Sequence, residues 1–379
     1  MKIEKLVYGG GGLTRVEGKV EFIPYSLPEE EWLDGKLIHP SADRIEPRCS
    51  YFTDCGGCHY QQMEHSAQLI AKKAILEESL TRLGRIQPPV IETISGPEWG
   101  YRNRSQLHVS GQRIGFHASG SNRLVDIDEC VISSPAIQSA ITALRDMSRD
   151  RRFPRFLKSV ELFSNESETL VNVLDTGAPL QRRFFEWCAE RIPGATQSSL
   201  EYKVGAFTYR VSHKAFFQVN RFLIEPLIEL ALQDTAGNAA LDLYAGVGLF
   251  SLPLTTRFDQ VTAVEVVGSA AHDLEFNADR AKLRLNAIRA KTEDFLAAAT
   301  EIPDFVLADP PRVGLGKRVV EQFARLKPRV LTIVSCDPTT LARDLAALTS
   351  AGYAIDKMTL IDLFPQTFHI ESVTRLVRD

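Results

Sequence analysis

The sequence predicts an α/β protein with an open, mostly parallel sheet in its C-terminal half, preceded by a mixed α+β central region and a short N-terminal β segment. Two textures and the length support this. After Phe217, apolar runs at Ala240 to Tyr244, Val261 to Val266, Phe305 to Asp309 and Val330 to Val334 alternate with helical stretches, the pattern of parallel strands joined by crossover helices. From Ile91 to about Val204, short alternating stretches broken by Gly, Ser and Asn predict antiparallel strands. A chain of 379 residues exceeds what one ordinary core serves. The expected divisions are 1–40, 41–205 and 206–379.

Taken in order, residues 1 to about 25 alternate apolar and polar positions around Gly9 to Gly12 and predict a small hairpin or barrel fragment. Pro24 to Pro47 carries turn and acidic residues without periodicity and reads as a linker. Leu69, Leu76, Leu80 and Leu83 fall on one helical face, with Gly84 as the stop. Further helices are expected near 135–149 and 178–191.

Composition narrows the class. With 44% hydrophobic and 24% charged residues, the chain is an ordinary globular protein. Its start has no apolar core of signal-peptide length, and no run approaches the roughly 18 apolar residues of a membrane span, so a cytoplasmic location is expected. A net charge of −4 gives no global signature of nucleic-acid binding. Any RNA contact must use a local patch, such as Arg102 and Arg104, the run Arg149, Arg151, Arg152, Arg155 and Lys158, or Arg182 and Arg183. Six cysteines in a reducing compartment point to metal or catalytic roles rather than disulfides.

The segment from Leu241 to Phe250 reads as a buried strand, a turn at Gly246 and Gly248, then a helix. Ligands sit at the carboxyl ends of such strands. The next strand ends at Glu265, whose carboxylate suits the hydroxyls of a ribose. Phe250 and Ser251 stand where a dinucleotide fingerprint has its third glycine, so no pyrophosphate loop is implied. S-adenosylmethionine (SAM) is therefore favoured over NAD, in a Rossmann-like domain. A third strand delivers Asp309 into Pro310-Pro311-Arg312 at the same edge, and a fourth ends at Ser335-Cys336-Asp337-Pro338. A cysteine at a strand tip beside a helix N-terminus is placed to act as a nucleophile.

Asp309-Pro310-Pro311-Arg312, Ser335-Cys336-Asp337-Pro338 and the run from Phe364 to Glu371 together resemble the three catalytic motifs of the RNA (uracil-5-)-methyltransferases of ribosomal and transfer RNA. The resemblance covers about 330 residues, from Cys49 to the C-terminus. It implies a class I SAM-dependent fold and methylation of uridine C5, with Cys336 adding to C6 and Glu371 removing the C5 proton. Asp309 is similar to a residue that holds the cofactor or the uracil edge, Gln218 to a cofactor-binding glutamine, and Tyr244 and Glu265 to the adenosine side, with Gly246 of the glycine turn also expected at the cofactor. Leu249 departs from the Asn that relatives often carry, and Thr292 stands where an Asn is common.

Cys49, Cys55 and Cys58 are spaced C-x5-C-x2-C, with Cys130 far downstream as the plausible fourth ligand. Spacing alone leaves zinc and iron–sulfur open. The resemblance implies a [4Fe-4S] cluster, with a role in stapling the fold or positioning RNA. Cys188 reads as a core residue. Relatives open with a small RNA-binding barrel of the OB/TRAM kind, and Ile3 to Pro28 resemble only its beginning, so RNA recognition is expected to shift to the central region. Phe216, Phe217 and His59 are candidates for stacking on a base. The expected substrate is RNA, ribosomal rather than transfer, acted on by a monomer. The alternatives are an amino-methyltransferase, disfavoured because Arg312 replaces the aromatic residue after Asp-Pro-Pro, and a non-catalytic RNA-binding protein.

Overall fold

The computed structural model describes residues 1–301 and 303–378. It divides into two compact units. One comprises residues 1–75, 97–197 and 364–369, the other 76–96, 198–363 and 370–379.

In the first unit, a six-stranded sheet runs in the order Ala195–Thr196, Thr169–Thr176, Leu157–Ser164, Arg104–Ser110, Arg113–His117 and Leu124–Asp126. All its pairings are antiparallel except that of the short edge strand Ala195–Thr196. The helices Pro135–Arg149 and Arg182–Arg191 fall within the stretches 135–149 and 178–191 where helices are expected. Ile137, Ile141 and Leu144 of the first helix and Phe184 and Trp187 of the second pack with Leu107, Ile114, Val160 and Leu162 of the sheet. Alternation puts those strand residues on one face, which is why the segment reads as β from sequence. Cys188 belongs to this core.

The N-terminal segment forms a three-stranded antiparallel sheet, Lys5–Leu6, Gly11–Val16 and Lys19–Pro24. The stretch that reads as a linker is ordered around one carboxylate. Glu30 is fully buried, accepts hydrogen bonds from Leu27 N–H (2.8 Å) and Trp32 Nε1 (3.1 Å), and is gripped by the Arg44 guanidinium. A small hairpin, Glu31–Leu33 with Lys36–His39, sits between these partners. A buried ion pair persists only when its remaining valences are met, as here.

The helix His65–Ser79 ends in a π turn over Leu80–Gly84. The left-handed residue that ends it is Arg85, not Gly84. A Cβ on Gly84 would stand 2.9 Å from the Ala342 carbonyl, so the glycine serves a close approach to the helix Pro338–Ser350. The buried face of the first helix also carries polar side chains that leucine periodicity does not reveal. Gln68 exchanges hydrogen bonds with both the side chain and the main chain of Gln366 (3.0 and 2.9 Å), and Lys72 Nζ donates to the Phe364 carbonyl (2.9 Å).

The second unit holds an eight-stranded sheet in the order Leu285–Arg289, Phe258–Glu265, Gly237–Leu243, Phe305–Ala308, Val330–Ser335, Ser372–Val377, Ala354–Ile361 and Ile91–Ile94. Ser372–Val377 runs antiparallel to both its neighbours; the other pairings are parallel. The apolar runs expected from Ala240, Val261, Phe305 and Val330 each fall on one of these strands. Ile91–Ile94, from far upstream in the chain, completes the sheet. The strand order turns back beside Gly237–Leu243, the kind of switch point where α/β sheets take ligands. Among the described residues, no helix is long and apolar enough to cross a membrane.

Candidate active site and cysteine cavity

Of the expected cofactor residues, Tyr244, Gly246, Glu265 and Asp309 gather at the carboxyl edge of the second unit's sheet. Gly237–Leu243 runs into Tyr244, which takes a left-handed φ of +61°, uncommon for a bulky residue, then Gly246 at +57° and Gly248 at +93°. Such strained backbone collects at ligand sites. A Cβ on Gly246 would meet nothing within 4 Å, so the main chain is bare toward open space there. A Cβ on Gly248 would collide with Leu274 and Leu252 at 2.7 and 2.8 Å.

Several side chains hold this turn. Glu265, buried at the tip of Phe258–Glu265, accepts Gly246 N–H on one carboxylate oxygen (2.8 Å) and Val267 N–H on the other (2.7 Å). Each oxygen keeps a further lone pair for a ligand hydroxyl. The turn's carbonyls are also held, that of Val247 by Asn277 Nδ2 (3.0 Å) and that of Leu249 by the Tyr209 hydroxyl (3.1 Å). Leu249 is itself buried. Burial pushes the Tyr244 phenol up to about 12, partly offset by its hydrogen bond to Thr292, the buried first residue of Thr292–Ala298. Gln218 is buried on the segment between the hairpin strand Phe207–Ser212 and the helix Ile224–Ala231.

A second cluster forms at the same edge. Asp309 follows Phe305–Ala308, Cys336 follows Val330–Ser335, and Glu371 directly precedes Ser372–Val377. These strands are neighbours, and their register brings the three ends together. Cys336 is half-buried and Glu371 is 5% exposed. Desolvation raises both carboxyls, and Asp309 raises Glu371 further by like-charge repulsion.

The thiol is not lowered by its helix, contrary to the expectation from position alone. Burial pushes Cys336 up to about 12, the charges of Glu371 and Asp309 push the same way, and Arg312 and a backbone hydrogen bond oppose. The helix Pro338–Ser350 spends its N-terminal N–H groups on its own cap, because Asp337 Oδ1 accepts Thr339 and Thr340 N–H, both at 2.9 Å. Burial, together with the charges of Glu371 and Asp309, outweighs the dipole.

Asp242 joins the two clusters electrostatically and was not singled out from sequence. It is 1% exposed, its carboxyl is pushed up to about 7 by burial, then by Asp309 and Glu265, and one of its oxygens accepts the Ser251 hydroxyl. The other oxygen is buried without a hydrogen-bond partner among the described residues. An acidic residue within an apolar strand was the available signal. Of the residues expected to stack, Phe216 is exposed, whereas Phe217 is core, packed on Tyr202 and Tyr209.

In the first unit, Cys49, Cys55, Cys58 and Cys130 line one cavity of about 250 Å³. The amide of Cys49 is fixed by Gln61 Oε1 (3.0 Å) and that of Cys130 by Gln138 Oε1 (2.8 Å). Burial raises the Cys49 and Cys58 thiols and takes Cys55 up to about 11, with the neighbouring cysteines adding repulsion. Among the described residues, no three His, Cys, Asp or Glu side chains are gathered closely enough to hold a single metal ion.

A parallel sheet with a glycine turn and acidic strand tips at its carboxyl edge defines a SAM-dependent methyltransferase fold. Comparison with known proteins agrees. The tRNA (Uracil-5-)-methyltransferase family model matches residues 195–379. An uncharacterized RNA methyltransferase of Aquifex aeolicus is 33% identical, covering 99% of this chain and 97% of its own. The 23S rRNA (uracil(1939)-C(5))-methyltransferase RlmD of Halomonas elongata is 32% identical, over 99% of this chain and 88% of its own. In structure, Pyrococcus abyssi tRNA (uracil-54, C5)-methyltransferase, solved with S-adenosyl-L-homocysteine, matches with a TM-score of 0.76 at 24% identity, covering all of both chains. The chain belongs to the RNA (uracil-5-)-methyltransferase family, whose members are SAM-dependent enzymes.

Proposed function

We propose that this chain methylates C5 of a uridine in 23S ribosomal RNA through a covalent adduct on Cys336. The observation that carries the reading is the convergence of a thiol, Cys336, with two desolvated carboxyls, Asp309 and Glu371, at one sheet edge. C5 of uracil is a weak nucleophile until a thiolate adds to C6 and drives the C5–C6 electron pair into an enolate. Cys336 forms that sulfur–C6 bond. SAM, when bound, would supply an electrophilic methyl on a sulfonium: the enolate's electron pair forms the new C5–methyl bond while the methyl–sulfur bond breaks and its pair leaves on the sulfur. Glu371 then takes the C5 proton, the electron pair left on C5 restores the double bond, and the sulfur departs from C6 with its bonding pair.

Glu265 is assigned to the ribose hydroxyls through its remaining lone pairs, Tyr244 to the adenosine side, Gly246 to close backbone approach, and Gln218 and Asp309 to the rest of the cofactor. The open space at Gly246 and the strained Tyr244 support a ligand there. The ribosomal target is supported by the RlmD relatives, and the enzyme is taken as a cytoplasmic monomer with functional divisions at 1–40, 41–205 and 206–379.

Cys49, Cys55, Cys58 and Cys130 are assigned to a [4Fe-4S] cluster, a reading supported by four thiols on one cavity. A cubane spreads its thiolates wider than a single ion does, and with four protein ligands it has no open position for chemistry. Its role here is structural.

The decisive experiment incubates the purified enzyme with SAM and ribosomal RNA lacking uracil-C5 methylation, followed by nucleoside mass spectrometry. 5-Methyluridine in 23S RNA is expected. An N-methylated base instead would replace this chemistry, and activity on transfer RNA alone would replace the substrate.

A further inference from the structure

In the second unit, the strands Ser199–Val204 and Phe207–Ser212 form a two-stranded sheet separate from the eight-stranded one. A hairpin of two strands has little stability of its own, so what fastens it matters. The helix Gly268–Arg280 carries Asp273, Asn277 and Arg280 at the i, i+4, i+7 spacing of one helical face. All three are spent on the hairpin. Asp273 accepts Arg210 Nε, Ser212 N–H and the Ser212 hydroxyl at 2.6, 2.6 and 2.7 Å. Arg280 grips Glu201 and the Thr208 carbonyl. Asn277 accepts Arg210 N–H (2.7 Å) and donates back to the Arg210 carbonyl (3.1 Å). Asp273 and Asn277 are fully buried, and these bonds satisfy them.

Two further bonds leave this assembly, and both end on the glycine turn. Asn277 Nδ2 also donates to the Val247 carbonyl (3.0 Å), and the hydroxyl of Tyr209, a fully buried hairpin residue, donates to the Leu249 carbonyl (3.1 Å). Burial, and after it the charge of Asp242, raises the Tyr209 phenol, so the hydroxyl keeps its proton and acts as a donor. The two carbonyls flank Gly248, at φ +93°, in a turn that also holds Tyr244 at +61° and Gly246 at +57°. A left-handed tyrosine costs free energy and persists only where its surroundings hold it. The hairpin and its helix supply part of that hold. The chain leaving the hairpin also reaches Gln218 six residues after Ser212, so one element serves both assigned cofactor segments.

We propose that Tyr209 and Asn277 are positioning residues for SAM binding. By fixing the carbonyls on either side of Gly248 they keep the turn in the shape the cofactor meets, so that binding need not reorganise it. They act through the main chain of the turn, not on the atoms of the cofactor. The proposal rests on the placement of SAM at this turn.

The test measures the Kd for SAM by calorimetry in wild type, Tyr209→Phe, Asn277→Ala and, as a matched control, Tyr353→Phe. Tyr353 is likewise buried, and its hydroxyl donates to the Phe323 carbonyl of the helix Gly316–Leu326 in the same unit. Losing a bond that holds the turn should raise the Kd roughly 3- to 30-fold in Tyr209→Phe and in Asn277→Ala, with kcat on unmodified ribosomal RNA at saturating SAM within about twofold of wild type. Tyr353→Phe should lower the melting temperature and leave the Kd alone, as a merely structural hydroxyl at position 209 would. Tyr209→Phe keeps the ring and its packing, so it decides the matter if Asn277→Ala does not fold. A Kd within about twofold of wild type in Tyr209→Phe overturns the proposal, as does an equal rise in Tyr353→Phe. Calorimetry needs no RNA, so failure to methylate RNA sinks the functional reading and leaves this comparison standing, whereas a wild type that binds no SAM overturns both.

Discussion

The carboxyl edge of the second unit and the cysteine cavity of the first store the same kind of difficulty and resolve it differently. In both, acidic groups are desolvated and repel one another, so their protons are held. In the cavity, burial takes Cys55 up to about 11 and raises Cys49 and Cys58 as well, with neighbouring cysteines adding repulsion, which the cationic cluster proposed above would relieve. At the sheet edge a single half-buried thiol shares space with two carboxyls and one arginine.

Variants that remove one charge-bearing group from each region sharpen this contrast. The largest effect is expected at the sheet edge: Cys336→Ala should abolish methyl transfer while SAM binding by calorimetry remains within a few fold of wild type. Persistent turnover would move the nucleophile elsewhere. Glu371→Gln should slow turnover by roughly 10²- to 10⁴-fold and accumulate a protein–RNA species that survives denaturing electrophoresis. The absence of that species under single-turnover conditions would remove Glu371 as the base.

In the cavity, Cys58→Ser should lower bound iron, the visible absorbance and the melting temperature together, with SAM affinity unchanged. Full iron content in this variant would break the four-cysteine assignment. The smallest effect concerns pH. Desolvation raises Asp309, so its charged form arises at higher pH than in an ordinary carboxylic acid. If that charged form holds the cationic cofactor, the Kd for SAM should fall as pH rises from about 5 to about 8, by up to tenfold per unit below the carboxyl's own midpoint. Asp309→Asn should weaken binding and flatten the profile. A flat profile in wild type would show that Asp309 does not meet the cofactor as an anion.

Much of the fold was legible because its signals are local. Apolar runs marked four strands of the parallel sheet, and the helices Pro135–Arg149 and Arg182–Arg191 fall in stretches expected to be helical. What stayed hidden depends on partners distant in sequence. Pro24 to Pro47 has no periodicity, because its order comes from one buried carboxylate gathering Leu27, Trp32 and Arg44. Gln68 and Lys72 look like solvent-facing helix residues until the loop at 364–366 supplies their hydrogen bonds. Ile91–Ile94 finds its place through pairing with Ala354–Ile361, more than 250 positions away in the sequence.

The order of residue types along the chain by itself pointed to the class of chemistry: a glycine turn after a strand, acidic and cysteine residues at strand ends, and four cysteines whose spacing left zinc and an iron–sulfur cluster both open. Those are covalent and short-range properties. Only the tertiary structure decided the electrostatics, because a proton's affinity depends on which charges share its low-dielectric neighbourhood. Cys336 beside a helix terminus reads as an easy thiolate until Asp337 caps that helix and Glu371 and Asp309 close around the sulfur.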